Sequence, residues 1–156
     1  MSSFKALLNR VGVQRGQTLI EFAFIAPIMF LFLFVIVDFG IAMDRRIVLQ
    51  HAVREGARYA AVTTDCPAIQ LRTGSQAQKL LEDPYNQVTV SYEDNPAEAG
   101  EMVSVKAHFT YQLAILDTIS DTFGVHAGAI DMSPSASARL ELTVTDAPGC
   151  GPTPTP

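Results

Sequence analysis

The sequence predicts an α+β protein: one long N-terminal helix, transmembrane and then amphipathic, packed under a small antiparallel sheet of about three strands. Three observations predict it. An apolar run of membrane length extends from Leu19 to Met43. A helical repeat of small and apolar residues then continues to about Val62. Further on, three stretches alternate apolar and polar side chains, the pattern of strands with one buried and one wet face.

The run LIEFAFIAPIMFLFLFVIVDFGIAM is the strongest of these signals. As a helix it covers roughly 36 Å, enough for a hydrocarbon core of about 30 Å. Between Ile28 and Val37 it is apolar on every face, so it needs lipid or protein all round. A secretory signal peptide would have a shorter apolar core and then a small-x-small cut site, whereas this run ends in DFGIAMDRR. Two acids interrupt it. Asp38 lies toward the far end, where it is expected to reach water. Glu21 lies near the start, where a carboxylate costs up to about 2.5–3.5 kcal/mol at the bilayer centre and less at the interface.

Before the run, residues 1–16 carry Lys5, Arg10 and Arg15 and no acid, and read as a basic cytoplasmic leader. Arg45, Arg46, Arg54 and Arg58 follow the run, so charge counting alone leaves the orientation open. Gly16 is expected to break the helix ahead of the apolar run. Pro27 removes one helical hydrogen bond and is expected to kink or loosen the helix.

The amphipathic part, 44–64, places Leu49, Val53, Gly56 and Ala60 on one side and Gln50, Arg54 and Arg58 on another. Its small residues suit close packing against a sheet or a neighbouring subunit. Asp65-Cys66-Pro67 reads as the end of this helix and the start of a connection, with a short helix at 74–82 stopped by Asp83-Pro84. The strand signals are 87–92, 101–112 and 138–145. The first two are joined by the turn-rich 93–100 as a hairpin. The segment 113–123 is ambiguous between a short helix and an irregular excursion. A small α+β domain thus occupies 65–146, and a Pro/Gly-rich tail, 147–156, is expected to be extended except where Cys150 pins it.

Composition narrows function. A net charge of −5 offers no basic stripe for nucleic acid. His51, His108 and His126 are far apart in sequence and suggest no metal site or cofactor, and the acidic Glu93-Asp94-Asn95 lacks the remaining ligands of a calcium loop. No nucleophile elbow, phosphate loop or paired carboxylates can be named, so no enzymatic activity is expected. Cys66 and Cys150 fit neither a zinc motif nor a CxxC. In an exported protein they would pair most simply as a disulfide, the alternative being two unpaired thiols.

The junction Arg15-Gly16-Gln17-Thr18-Leu19-Ile20-Glu21-Phe22 resembles the processing site of the type IV pilin superfamily: a basic residue, a glycine, four residues, then glutamate opening an apolar helix. Glu21-Phe22-Ala23, Pro27, Asp38-Phe39-Gly40 and Arg54-Glu55-Gly56-Ala57-Arg58-Tyr59-Ala60 narrow the resemblance to the TadE-like pseudopilins of tight-adherence pilus systems, with TadF and TadG proteins sharing this style of N-terminal segment. It covers about residues 10–64. The resemblance implies a pilin-like architecture and cleavage between Gly16 and Gln17 by a prepilin peptidase. It also implies a role for Glu21 in subunit register, pairing with the new α-amino group of a neighbour. The implied partners are the membrane, the peptidase, other pilin or pseudopilin subunits and a pilus assembly platform. The implied location is the cytoplasmic (inner) membrane with the C-terminal domain outside the cytoplasm, or an extracellular adhesive pilus. The alternative is an unprocessed bitopic anchor presenting a small binding module.

Overall fold

Fifty-nine residues, Ser2–Ala60, form a single helix, α1, in the computed structural model, which describes residues 2–121, 124, 128–145 and 149–151, with side chains described from Gln17 onward except at 114, 119 and 120. The chain divides into two units, Met1–Phe39 and Gly40–Pro156. The described residues of the first are all helical. The second contains the rest of α1 and every other element.

Within the second unit α1 is followed by α2 (Cys66–Gln76), α3 (Pro84–Gln87), β1 (Val88–Tyr92), β2 (Met102–Ala107), β3 (Phe109–Gln112), α4 (Ala114–Asp121), β4 (Ala129–Met132) and β5 (Ser135–Arg139). Two antiparallel sheets result, one ordered β1-β2-β5 and a smaller one pairing β3 with β4. The α+β class, with a long N-terminal helix and a three-stranded antiparallel sheet, is as the sequence predicts.

Leu49, Ala52, Val53, Ala57 and Ala60 of α1 are buried in one core with Val88 and Val90 of β1 and Val103, Val105 and Ala107 of β2. Alternation in the strands and helical spacing in α1 therefore point at the same interior. Gly56 is buried as well, and a Cβ there would overlap Thr73 Oγ1 of α2 and come within 3.3 Å of Val105 Cγ1. Only a residue without a side chain lets α1, α2 and β2 meet at this point.

The hairpin expected around residues 93–100 forms, in register from Val88 opposite Ala107 to Tyr92 opposite Val103. Four boundaries differ from expectation. The short helix lies at Cys66–Gln76 rather than 74–82, because Asp65-Cys66-Pro67 starts a helix. The Asp65 carboxylate accepts from Ala68 N–H as an N-cap, and proline fits the first turn, where its missing N–H is no loss. Left-handed backbone at Gln78 and Lys79 follows the end of that helix.

The second expected strand is two strands. At His108 the N–H closes the β1–β2 ladder on Gln87 O, and Phe109 begins a new pairing opposite Met132. Alternation reports which face is buried, not which strand is the partner, so the switch leaves the pattern intact. The third expected strand is displaced to Ser135–Arg139. Leu140 and Val144 are buried as their alternation implies, but Val144 joins only an isolated bridge to Ala97. Gly16 does not break α1. A mid-helix glycine costs only about 1 kcal/mol relative to alanine, less than interrupting a long helix would. The ambiguous segment 113–123 holds α4. The expected tail conformation falls largely outside the described residues.

Candidate processing and assembly segment

Gly16, Gln17, Glu21 and Pro27 share α1. Gln17 and Glu21, one turn apart, face each other, with Gln17 Nε2 donating to Glu21 Oε1 at 3.5 Å. Both are exposed. This amide is a weak partner at the long limit of hydrogen-bond geometry, so it leaves most of the carboxylate's capacity open to a stronger donor.

Around and beyond Glu21 the helix carries its apolar side chains outward. Leu19 is 70% exposed, Phe24 74% and Ile36 68%. The stretch 17–60 is the one helix among the described residues long and apolar enough to cross a membrane, and its most apolar window has none of its residues buried. In water such a surface would be strongly unfavourable, at roughly 25 cal/mol per Å² of apolar area. The helix therefore fits anchoring in a membrane.

The helix continues through Pro27. Proline lacks the N–H that would bond the carbonyl of Ala23, so one backbone acceptor loses its helical donor there. Beside it, the small Ala26 leaves a shallow apolar groove bounded by Phe22, Met29, Phe30, Leu33 and Ile36. Nothing in this groove is polar enough to orient a reacting group.

Asp38 is fully buried, which corrects the expectation that it reaches water. A buried acid within an otherwise apolar run was legible as an oddity but not as a burial. The cysteines lie in the other unit and are bonded to each other across 84 residues, joining the first residue of α2 to the C-terminal segment.

Two polar features of the second unit carry no sequence motif. Gln70 of α2 is 4% exposed and donates from Nε2 to Val88 O at 2.9 Å and Tyr85 O at 3.1 Å, tying α2 to the start of β1. Glu55 of α1 accepts from Arg72 Nη2 of α2 at 2.8 Å and lies 3.8 Å from Arg58 Nη1. The hydrogen bond from Arg72 leads in holding the Glu55 carboxyl below its ordinary value, with slight desolvation opposing and the Arg72 and Arg58 charges adding. Burial pushes the Tyr92 hydroxyl up.

His108 Nδ1 lies 3.1 Å from Ser133 Oγ on the exposed β3–β4 face, His51 is exposed, and His126 lies outside the described residues. Among the described residues no three His, Cys, Asp or Glu side chains are grouped to hold a metal ion. The loop containing Glu93, Asp94 and Asn95 is exposed.

Comparison with curated proteins and with solved structures gives no match. Residues 16–58 match the family described as TadE-like protein. The match begins at Gly16 and runs through Glu21, Pro27 and Gly56 to Arg58, within the stretch of about 10–64 that carries the resemblance in the sequence. Over residues 16–58 the chain is similar to TadE-like proteins, which is consistent with a protein of the Tad pilus system.

Proposed function

We propose that the chain is a pseudopilin or minor pilin that prepilin peptidase cleaves between Gly16 and Gln17, and that acts without catalysis in assembly of an adhesive Tad-type pilus. One observation carries this reading: a glycine, four residues and a glutamate stand where the exposed apolar stretch of α1 begins, and the TadE-like match opens on that glycine. Cleavage would create an α-amino group at Gln17, one turn from Glu21. In a bundle of such helices the Glu21 carboxylate of one subunit then meets the amine of another. A satisfied buried pair fixes axial register more than it adds stability, because its attraction mostly offsets the cost of removing both charges from water.

The second unit, on this reading, lies outside the cytoplasm, where the Cys66–Cys150 bond persists. The partners are the peptidase, neighbouring pilin or pseudopilin subunits and the assembly platform.

N-terminal sequencing of the membrane-fraction protein tests the reading, in wild-type cells and in cells lacking the peptidase. The expected mature sequence begins at Gln17 in the first and at Met1 in the second. A chain that keeps Met1 in both is an unprocessed bitopic anchor presenting its small domain outside the cell.

A further inference from the structure

Along β1, the backbone groups of Val88 and Val90 point away from β2. The neighbouring ladder bonds show this: His108 N–H donates to Gln87 O and Glu93 N–H donates to Met102 O, so alternate residues from 87 to 93 face β2. An outward row of donors and acceptors makes an open sheet edge unless something caps it. Val88 and Val90 are capped by different elements. Val88 N–H donates to Pro84 O, and Val88 O accepts from the buried Gln70 side chain. Val90 N–H donates to Cys150 O, and Val90 O accepts from Cys150 N–H at 2.9 Å.

The cap on Val90 is a separate piece of chain. Among the described residues, 149–151 pair with the sheet only at this bridge. Gly149 has a left-handed φ of 66°, and a Cβ on it would sit 2.9 Å from Val90 O, so the approach needs glycine. What ties this short segment down covalently is the bond from Cys150 to Cys66. Without that tether, the two-bond bridge and the packing of Cys150 on the core would have to offset the ordering entropy of the segment, about 1–2 kcal/mol per residue.

We propose that Cys66–Cys150 is a redox latch: it holds residues 149–151 against β1, and its reduction by a dithiol opens the sheet edge at Val90 while the rest of the sheet stays paired. A thiolate of the dithiol attacks one sulfur and breaks the S–S bond. The second thiolate resolves the mixed disulfide, leaving two protonated cysteines and the oxidised dithiol, a balanced two-electron exchange. Val88 remains capped because Gln70 belongs to α2, whose Ile69 and Thr73 are buried in the core. The β2–β5 pairing involves no residue of the tail. The opened position presents one N–H and one C=O on a strand edge, the chemistry that an extended backbone recognises. The latch is independent of whether residues 1–16 are removed.

The test is amide-resolved hydrogen exchange on the full chain in detergent micelles. Three samples are compared: oxidised protein, protein reduced with dithiothreitol, and the Cys66→Ser/Cys150→Ser double variant. Protection at Val90 is expected to fall at least roughly tenfold on reduction and in the double variant, while Thr89 and Ser91, bonded into β2, keep theirs. With the disulfide intact, Gly149→Ala is expected to loosen Val90 alone. Unchanged protection at Val90 overturns the latch. So does a parallel loss at Val90, Thr89 and Ser91, which would make the disulfide a brace for the whole sheet.

Discussion

Gly56 of α1 lies so close to Thr73 of α2 that a single methyl group on the glycine would overlap the threonine hydroxyl. Thr73 cannot easily swing away, since it is fully buried and its Oγ1 donates to Ile69 O at 2.9 Å. Gly56→Ala is therefore expected to destabilise the second unit by about 1–3 kcal/mol, the usual range for overpacking, despite alanine's better helix propensity. Adding Thr73→Ala removes the clashing oxygen, so the double variant should be less destabilised than the sum of the two singles. Thermal unfolding of the three variants measures this. Simple additivity would mean the two residues do not compete for the same space.

Gln70 makes a second prediction of the same kind. Its amide supplies hydrogen bonds to Val88 O and Tyr85 O from a buried position. Gln70→Leu keeps much of the volume but leaves Val88 O without this donor, at an expected cost of about 1–3 kcal/mol. Chemical denaturation should show a lower midpoint with an unchanged slope, since the surface exposed on unfolding is the same.

Gln70 also marks where sequence reading stops. The membrane run, the packing side of α1 and the β1–β2 hairpin were legible because each shows as a periodic pattern of hydrophobicity. β5 was not, because its core-facing residues are Ala136 and Ala138, too small to mark an alternation against serine. Asp65-Cys66-Pro67 was read as a stop, although the same aspartate and proline serve equally well as a helix start. Gln70 carries no local signal: its role depends on a carbonyl 18 residues away. For the processing segment, residues 16–21 were readable as a linear motif, whereas the burial of Asp38 was not, since hydrophobic periodicity says nothing of where a single acid lies.

Glu55 and Arg72 supply a pH prediction. The Glu55 carboxyl is held below its ordinary value of 4.5, chiefly by the hydrogen bond from Arg72. A depressed folded value means that the interaction is fully present above about pH 4.5 and is lost as the pH falls through the lowered value. The pair is exposed to solvent, so the effect on stability is small and weakens with added salt. Titration of the Glu55 side chain by NMR should give a midpoint that rises toward the ordinary value in Arg72→Ala and, in the wild type, rises part of the way at high salt. A midpoint unmoved by Arg72→Ala would assign the shift to Arg58.

Glu21 is the residue on which membrane insertion and assembly should separate. Among the described residues the Gln17 amide lies beside it at 3.5 Å, and it stands near the start of the apolar stretch of α1. Replacing it with alanine removes a group that is unfavourable in hydrocarbon, so Glu21→Ala should enter the membrane at least as well as the wild type. Assembly should respond in the opposite direction. If cleavage leaves an amine at Gln17, that amine loses its carboxylate partner among packed helices, and an uncompensated buried charge costs several kcal/mol per subunit. Glu21→Gln keeps the shape and some polarity but not the charge, and should resemble the alanine variant rather than the wild type. Alkaline extraction of membranes reports insertion, and quantification of surface pili reports assembly. Normal piliation by Glu21→Ala would leave the carboxylate without a part in packing the subunits, and the register role proposed for it would have to be abandoned.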